Sequence, residues 1–206
     1  MKRCLVPVFL AATAGVASAD SIGADPNDPG RVTAIQKGVK ELDLGGIFVL
    51  SYNKNGDAEA NTRVSTLGGA SFQYFIKDSV SLGGTFLFSY DRLDATTYST
   101  SFGGLAFASL HVRLGLGAFL RPTFGAGLLA GNLNSELAPG MVTQASQVAG
   151  LIRIALPFAY FPSRRVVLQA GPEINVSIGN VTPDGGEAES FTSVSGGFGV
   201  SAGYAF

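Results

Sequence analysis

The chain has 206 residues, 46% of them hydrophobic and only 14% charged, with 28 glycines, no tryptophan and a net charge of −1. Ordinary soluble domains carry about 25% charged residues, and without a basic excess nucleic acid is not expected as a partner. One cysteine, Cys4, rules out a disulfide framework, and one histidine, His111, leaves no cluster for a transition metal.

The chain opens on Lys2 and Arg3, an apolar stretch from Leu5 to about Val16, and Ala17-Ser18-Ala19. A basic head, a short apolar middle and a small-residue cleavage site read as a secretory signal over residues 1–19, too short to span as a helix. Cys4 lies at the wrong end of it for lipidation at the cleavage point. Residues 20–39, with Pro26 and Pro29, show no periodicity and read as a periplasmic N-terminal segment.

From residue 40 to 206 the chain alternates apolar and polar residues with period two, the signature of strands with two unlike faces. Eight stretches carry it, roughly 41–52, 62–76, 80–90, 101–112, 117–130, 143–160, 166–179 and 190–206. In the second, Val64, Ala70, Phe72 and Tyr74 oppose Arg63, Ser65, Ser71 and Gln73. In the seventh, Val166, Leu168, Ala170, Ile174, Val176 and Ile178 oppose Gln169, Glu173, Asn175 and Ser177. The apolar face falls on even positions, while Glu41, Asp43, Arg63, Arg113, Arg121, Arg153 and Glu173 are odd. A soluble β-sandwich, the alternative fold, would need a well-charged outer face. Here the polar face is mostly Gly, Ser and Ala, which suits a narrow lumen inside an apolar exterior.

The connections alternate as well. "IKDS", "RLGLG" and "FPSRR" are tight, whereas "NKNGDAEAN", "DRLDATTYST", "GNLNSELAPGM" and "NVTPDGGEAE" are long and polar. Short periplasmic turns and long external loops predict an all-β fold: an eight-stranded antiparallel up-and-down transmembrane β-barrel over residues 40–206. Phe72, Tyr74, Phe158, Tyr160, Tyr204 and Phe206 are expected to form one aromatic girdle, and Phe48, Tyr52, Phe86, Phe88, Tyr90 and Phe102 the other.

The last strand places Phe198, Val200, Ala202, Tyr204 and Phe206 on one face and ends on the aromatic. It resembles the insertion signal of bacterial outer-membrane β-barrels, and "YFIKDSVSLGG" (74–84) resembles the strand–turn–strand repeat of small eight-stranded members. Over 40–206 the chain is thus similar to the OmpA-like and OmpX-like barrels. The resemblance implies a bacterial outer membrane, surrounding lipid and lipopolysaccharide, and recognition of the last strand by the barrel-assembly machinery. No peptidoglycan-binding domain follows in this sequence, so the anchoring role of longer OmpA proteins is not carried over.

An eight-stranded lumen is just wide enough to be filled by side chains. A simple register around "FPSRR" makes Arg153 and Glu173 direct partners, with Arg121 one strand away at similar depth and Asp43 inward nearer the periplasm. These four residues are expected to form a charge network that plugs the lumen; water-bathed, unlinked charges are the alternative. Barrel enzymes acting on lipid or protein use His near the outer rim, whereas His111 sits beside the second short turn, so no enzymatic activity, metal or cofactor is expected. "GFGVSA" (197–202) and "GAGLLA" (125–130) do not open helices and do not read as dinucleotide sites. In the loops, Asp57, Glu59, Asp91, Asp94, Glu136, Asp184, Glu187 and Glu189 outnumber Lys54 and Arg92. That surface could attract divalent cations, although charge that keeps the loops solvated is the simpler reading. The expected function is structural or adhesion-like. The alternative is a narrow channel for ions or small hydrophobic solutes, favoured by the Gly and Ser of the lumen face.

Overall fold

A computed structural model of the chain describes residues 24–25, 28–32, 35–53, 61–92, 97–115, 117–138 and 141–206. The signal sequence lies outside the described residues, as do most of the first two long loops, with Asp57, Glu59 and Asp94.

The alternating stretches form eight long strands. They are β1 (Lys40–Asn53), β2 (Asn61–Lys77), β3 (Val80–Arg92), β4 (Thr97–Leu110, continued by Val112–Gly115), β5 (Ala118–Leu120 and Thr123–Ala138), β6 (Met141–Ala155 and Phe158–Tyr160), β7 (Val166–Pro183) and β8 (Glu189–Ala205). The breaks in β5 and β6 fall at Pro122 and Pro157, which have no N–H to give to a ladder. Their carbonyls still accept, from Leu110 N at 3.0 Å and Arg121 N at 2.8 Å, so the wall continues across both breaks. Ahead of the barrel, Ala24–Asp25 pairs with Asp28–Val32.

Each strand pairs antiparallel with the next, and β8 pairs with β1, so the sheet has no free edge. At the seam Lys40 and Phe206 exchange both backbone hydrogen bonds, at 2.9 and 2.8 Å. Following partners around the ring leads from Leu42 through Phe72, Gly84, Ala106, Ala126, Ile152, Val176 and Val194 back to β1 at Tyr52. The circuit returns 52 − 42 = 10 residues further along β1, which is the shear of the barrel. With strands ~4.8 Å apart and a rise of ~3.3 Å per residue, that shear tilts them by about 40°.

The period-two pattern sets which side chains meet lipid. Leu44, Leu128 and Val148 are 64%, 67% and 60% exposed, while the odd-numbered Phe75, Leu87 and Ala149 between them are buried. An apolar exterior around a closed ring is what a bilayer accepts and water does not, so the sandwich alternative is excluded. Phe72, Tyr74, Phe158, Tyr204 and Phe206 are exposed near the short turns, with Tyr160 half-buried. Phe86, Phe88, Tyr90, Tyr98 and Phe102 are exposed towards the long loops, where Tyr90 stacks on Tyr98 at 6.3 Å. The side chains of Phe48 and Tyr52 lie outside the described residues. Among the charges named above whose side chains are described, Arg113 breaks the odd-inward rule: it is exposed at the end of β4, where Val112, Arg113 and Leu114 are all exposed beside the turn. The side chain of Arg63 lies outside the described residues.

Candidate functional site: the barrel lumen

The inward side chains fall into layers from the short-turn end upward. The lowest is apolar. Phe75, Phe119, Phe161, Val167, Ala159 and Ala205 are buried together, with Phe119 edge-on to Phe161 at 5.7 Å. The N-terminal segment completes this base. Ile35 inserts into the cluster and Val39 packs against it. Backbone bonds hold the segment: Ser79 N to Ile35 O at 2.9 Å, Gly38 N to Phe75 O at 2.8 Å, and Lys37 N to Asp78 Oδ1 at 2.8 Å. Ser79, at φ 65°, turns the β2–β3 hairpin; its carbonyl accepts from His111 N at 2.8 Å. His111 lies in this layer, buried, with its ring 4.9 Å from that of Phe75 and neither ring nitrogen hydrogen-bonded. It is placed at the short-turn end of the lumen, away from the outer rim.

Above the base is a polar layer. Arg121 clamps Glu41 with two bonds, 2.6 and 3.1 Å, and both residues are buried. Gln73 links the pair to the wall, donating to Glu41 Oε1 and accepting from Ser81 Oγ at 2.6 Å. Asp43 lies beside Glu41 and accepts from Gln169 Nε2 at 2.8 Å. A bidentate guanidinium–carboxylate pair is the geometry that best offsets the cost of burying two charges.

The third layer is a cavity of about 110 Å³ lined by Ser71, Thr85, Ser109, Thr123 and Ser201 among others, large enough for several waters. Its hydroxyls pair across the wall, Ser71 with Thr85 at 2.9 Å and Ser109 with Thr123 at 2.8 Å. Arg153 and Glu173 line its upper part, joined at 2.6 Å, with Asn175 donating to the other oxygen of Glu173 at 2.8 Å. Leu87, Leu105 and Leu151 form a second buried apolar cluster, backed by Leu67, Phe107 and Leu129, and Leu67, Leu87, Leu105 and Phe107 line the same cavity.

Two sequence-based expectations change here. Arg153 faces Asn175 in the ladder, and Glu173 faces Ala155, so the register lies two residues from the simple one. The turn after Tyr160 takes up the difference: Arg165 N and Val166 N both donate to Ser163 Oγ, and pairing resumes at Tyr160–Leu168. Arg121 is not level with Arg153. The partner of Arg153 on β5 is Gly125, four residues further along, which at a ~3.3 Å rise and the barrel's tilt puts Arg121 roughly 13 Å nearer the short turns. Glu41, the partner of Arg121, is on the odd-numbered polar face in the sequence but outside the expected charge network; the apolar base and the leucine layer are outside it too. Their signal was present as odd-numbered apolar residues (Phe75, Leu87, Leu105, Phe119, Leu151, Phe161 and Val167) that break the polar pattern of the lumen face. Phe198, Val200, Ala202, Tyr204 and Phe206 all lie exposed on the outer face of β8 or just beyond its end.

No protein-family model matches the sequence, nor does any curated protein. Among solved structures the chain is similar to Neisserial surface protein A, with a TM-score of 0.60 and 16% identity over 82% of this chain and 100% of that one. It is also similar to Ail, the attachment invasion locus protein of Yersinia pestis, with a TM-score of 0.52 and 14% identity over 83% of this chain and 100% of that one. The fold is that of the small eight-stranded outer-membrane β-barrels. The exposed apolar belt and this architecture place the chain in the bacterial outer membrane, short turns to the periplasm and long loops outside.

Proposed function

We propose that this outer-membrane barrel is a non-conducting scaffold whose work is done at its outer surface. The observation that carries the reading is the stack of layers in the lumen. An apolar base, the Arg121–Glu41 pair, the Arg153–Glu173 pair and a leucine layer follow one another across the bore. A channel would need a continuous wet path, whereas the cavity of about 110 Å³ lies between the two ion pairs. The glycines of the lumen face do not supply one. A Cβ on Gly45, Gly83 or Gly125 would meet side chains or backbone of a neighbouring strand, so these glycines reflect a tight bore.

The outer end is the place for interaction. β2, β7 and β8 have 17, 18 and 17 residues against the ~9–11 that cross a bilayer, so the wall projects beyond the membrane on the long-loop side. Ail has been solved in complex with the heparin analogue sucrose octasulfate. In this chain the described outer loop exposes Asp184, Glu187 and Glu189, which repel a polyanion. The surface partner proposed here is therefore cationic, or an anionic surface such as lipopolysaccharide bridged by divalent ions. No enzymatic role is proposed: His111, the sole imidazole, is sealed in the base. Phe198, Val200, Ala202, Tyr204 and Phe206 are proposed to serve as the signal read by the barrel-assembly machinery.

Liposome swelling tests the closed lumen. Vesicles carrying the folded barrel should shrink in hyperosmotic arabinose and stay shrunken, as protein-free vesicles do. Recovery of volume at a rate proportional to barrel content would instead favour the channel reading.

A further inference from the structure

The charges that do not face the lumen are divided between the two ends. Among residues whose side chains are described, every base outside the lumen lies at the periplasmic rim: Lys37, Lys40, Lys77, Arg113, Arg164 and Arg165. All but Arg164 are exposed, and Asp78 is the one acid among them. At the other end the described loop between β7 and β8 is acidic. The bases alternate with lipid-facing groups at the lower edge of the belt. Lys77 follows Ile76, Arg113 stands between Val112 and Leu114, and Lys40 is hydrogen-bonded through its backbone to Phe206, with all four apolar residues exposed. Arg165 donates to Tyr204 Oη at 3.0 Å, which ties its guanidinium to an aromatic of the lower girdle. These side chains project from the ends of β1, β2 and β4 and from the turn before β7, so they form a collar around the rim rather than a single patch.

We propose that this collar binds anionic phospholipid headgroups in the periplasmic leaflet. A base at the foot of an apolar wall is within reach of a headgroup phosphate while its stem lies along the acyl chains. The zwitterionic lipids beside it neutralise their own phosphate, whereas a phosphatidylglycerol brings a net negative charge to a rim that has few of its own. The field of such a collar falls off within a Debye length, about 10 Å at 0.1 M salt, so its effect is confined to the first shell of lipid and depends on salt. The collar would prefer one leaflet over the other and would help fix which way the barrel sits, independently of what the outer loops bind.

The test uses the folded full barrel in bilayers of phosphatidylcholine containing trace spin-labelled phosphatidylglycerol or spin-labelled phosphatidylcholine. The motionally restricted fraction of each label reports its association with the protein wall. The expected result is a several-fold preference for phosphatidylglycerol at 20 mM NaCl, lost at 1 M NaCl. The same preference should fall to near unity in the quadruple variant Lys40→Gln, Lys77→Gln, Arg113→Gln, Arg165→Gln. Folding of the variant is read separately from its heat-modifiable mobility on gels; should it misfold, the salt series on the wild type decides by itself. Equal association of both lipids with the wild type at low salt overturns the proposal. So does a phosphatidylglycerol preference that survives 1 M salt or the loss of the four charges, since it would then arise elsewhere on the wall.

Discussion

Arg153 stands opposite Asn175 in the β6–β7 ladder, yet its guanidinium passes over that neighbour to reach Glu173 at 2.6 Å, while Asn175 holds the second carboxylate oxygen. The pair is diagonal, and the residue in the direct position serves as its brace. Glu173 has 1% of its side chain exposed against 19% for Arg153, so it is the carboxylate whose pairing matters most.

Arg153→Ala leaves a buried carboxylate with only Asn175, and should cost about 3 kcal/mol of stability, at the low end for a broken buried pair because the cavity below is polar. Replacing both partners, Arg153→Met with Glu173→Leu, should restore most of that loss. Urea unfolding in lipid vesicles, followed by tyrosine fluorescence, measures both. A double variant weaker than the single one would mean that the charges are needed for more than mutual neutralisation.

The two ion pairs belong to different layers, with the cavity between them. At a separation of roughly 13 Å without a shared partner, the effects of Arg121→Met and Arg153→Met on stability should add to within about 0.5 kcal/mol. A coupling energy well above that would mean that the charges form one network after all.

Alternation fixes which face a residue takes, and slipping a register by two preserves it; that is why Arg153 and Glu173 could be placed inward and near each other from a pairing that was off by two. The size of the slip was hidden in the turn, where Ser163 collects two backbone N–H groups and delays the ladder. The Arg121–Glu41 pair was hidden for a different reason. Its members lie on β5 and β1, opposite walls of the ring, and only closure with a shear of ten brings them together across the bore. No local pattern carries that number. The N-terminal segment lacks periodicity because Ile35 enters the base through one residue and a few backbone bonds, which leaves no repeat to detect.

Ile35→Ala should loosen that segment without opening the wall. The backbone N–H groups of Gly38 and Ser79, which bond across the junction, are expected to exchange with deuterium at least tenfold faster, while the Phe75 amide, bonded to Val39 O, changes less. Unchanged protection at Gly38 and Ser79 would show that the backbone bonds alone hold the base closed.

At Gly203 a Cβ would collide with the Asp43 carboxylate and with Val167, so Gly203→Ala must displace Asp43 from Gln169 or push the base apart. A loss of about 1–3 kcal/mol is expected. Gly196 on the same strand has nothing within 4 Å of such a Cβ, and Gly196→Ala should stay within about 0.5 kcal/mol of the wild type. Equal effects at the two positions would contradict the close packing assigned to the lower lumen.

Single-channel recording in planar bilayers decides whether layers in series close the proposed non-conducting lumen. The folded wild type should give no discrete steps in 1 M KCl, and Arg153→Ala should stay silent too, because the apolar base and the Arg121–Glu41 pair remain below. Reproducible steps from the wild type would contradict it.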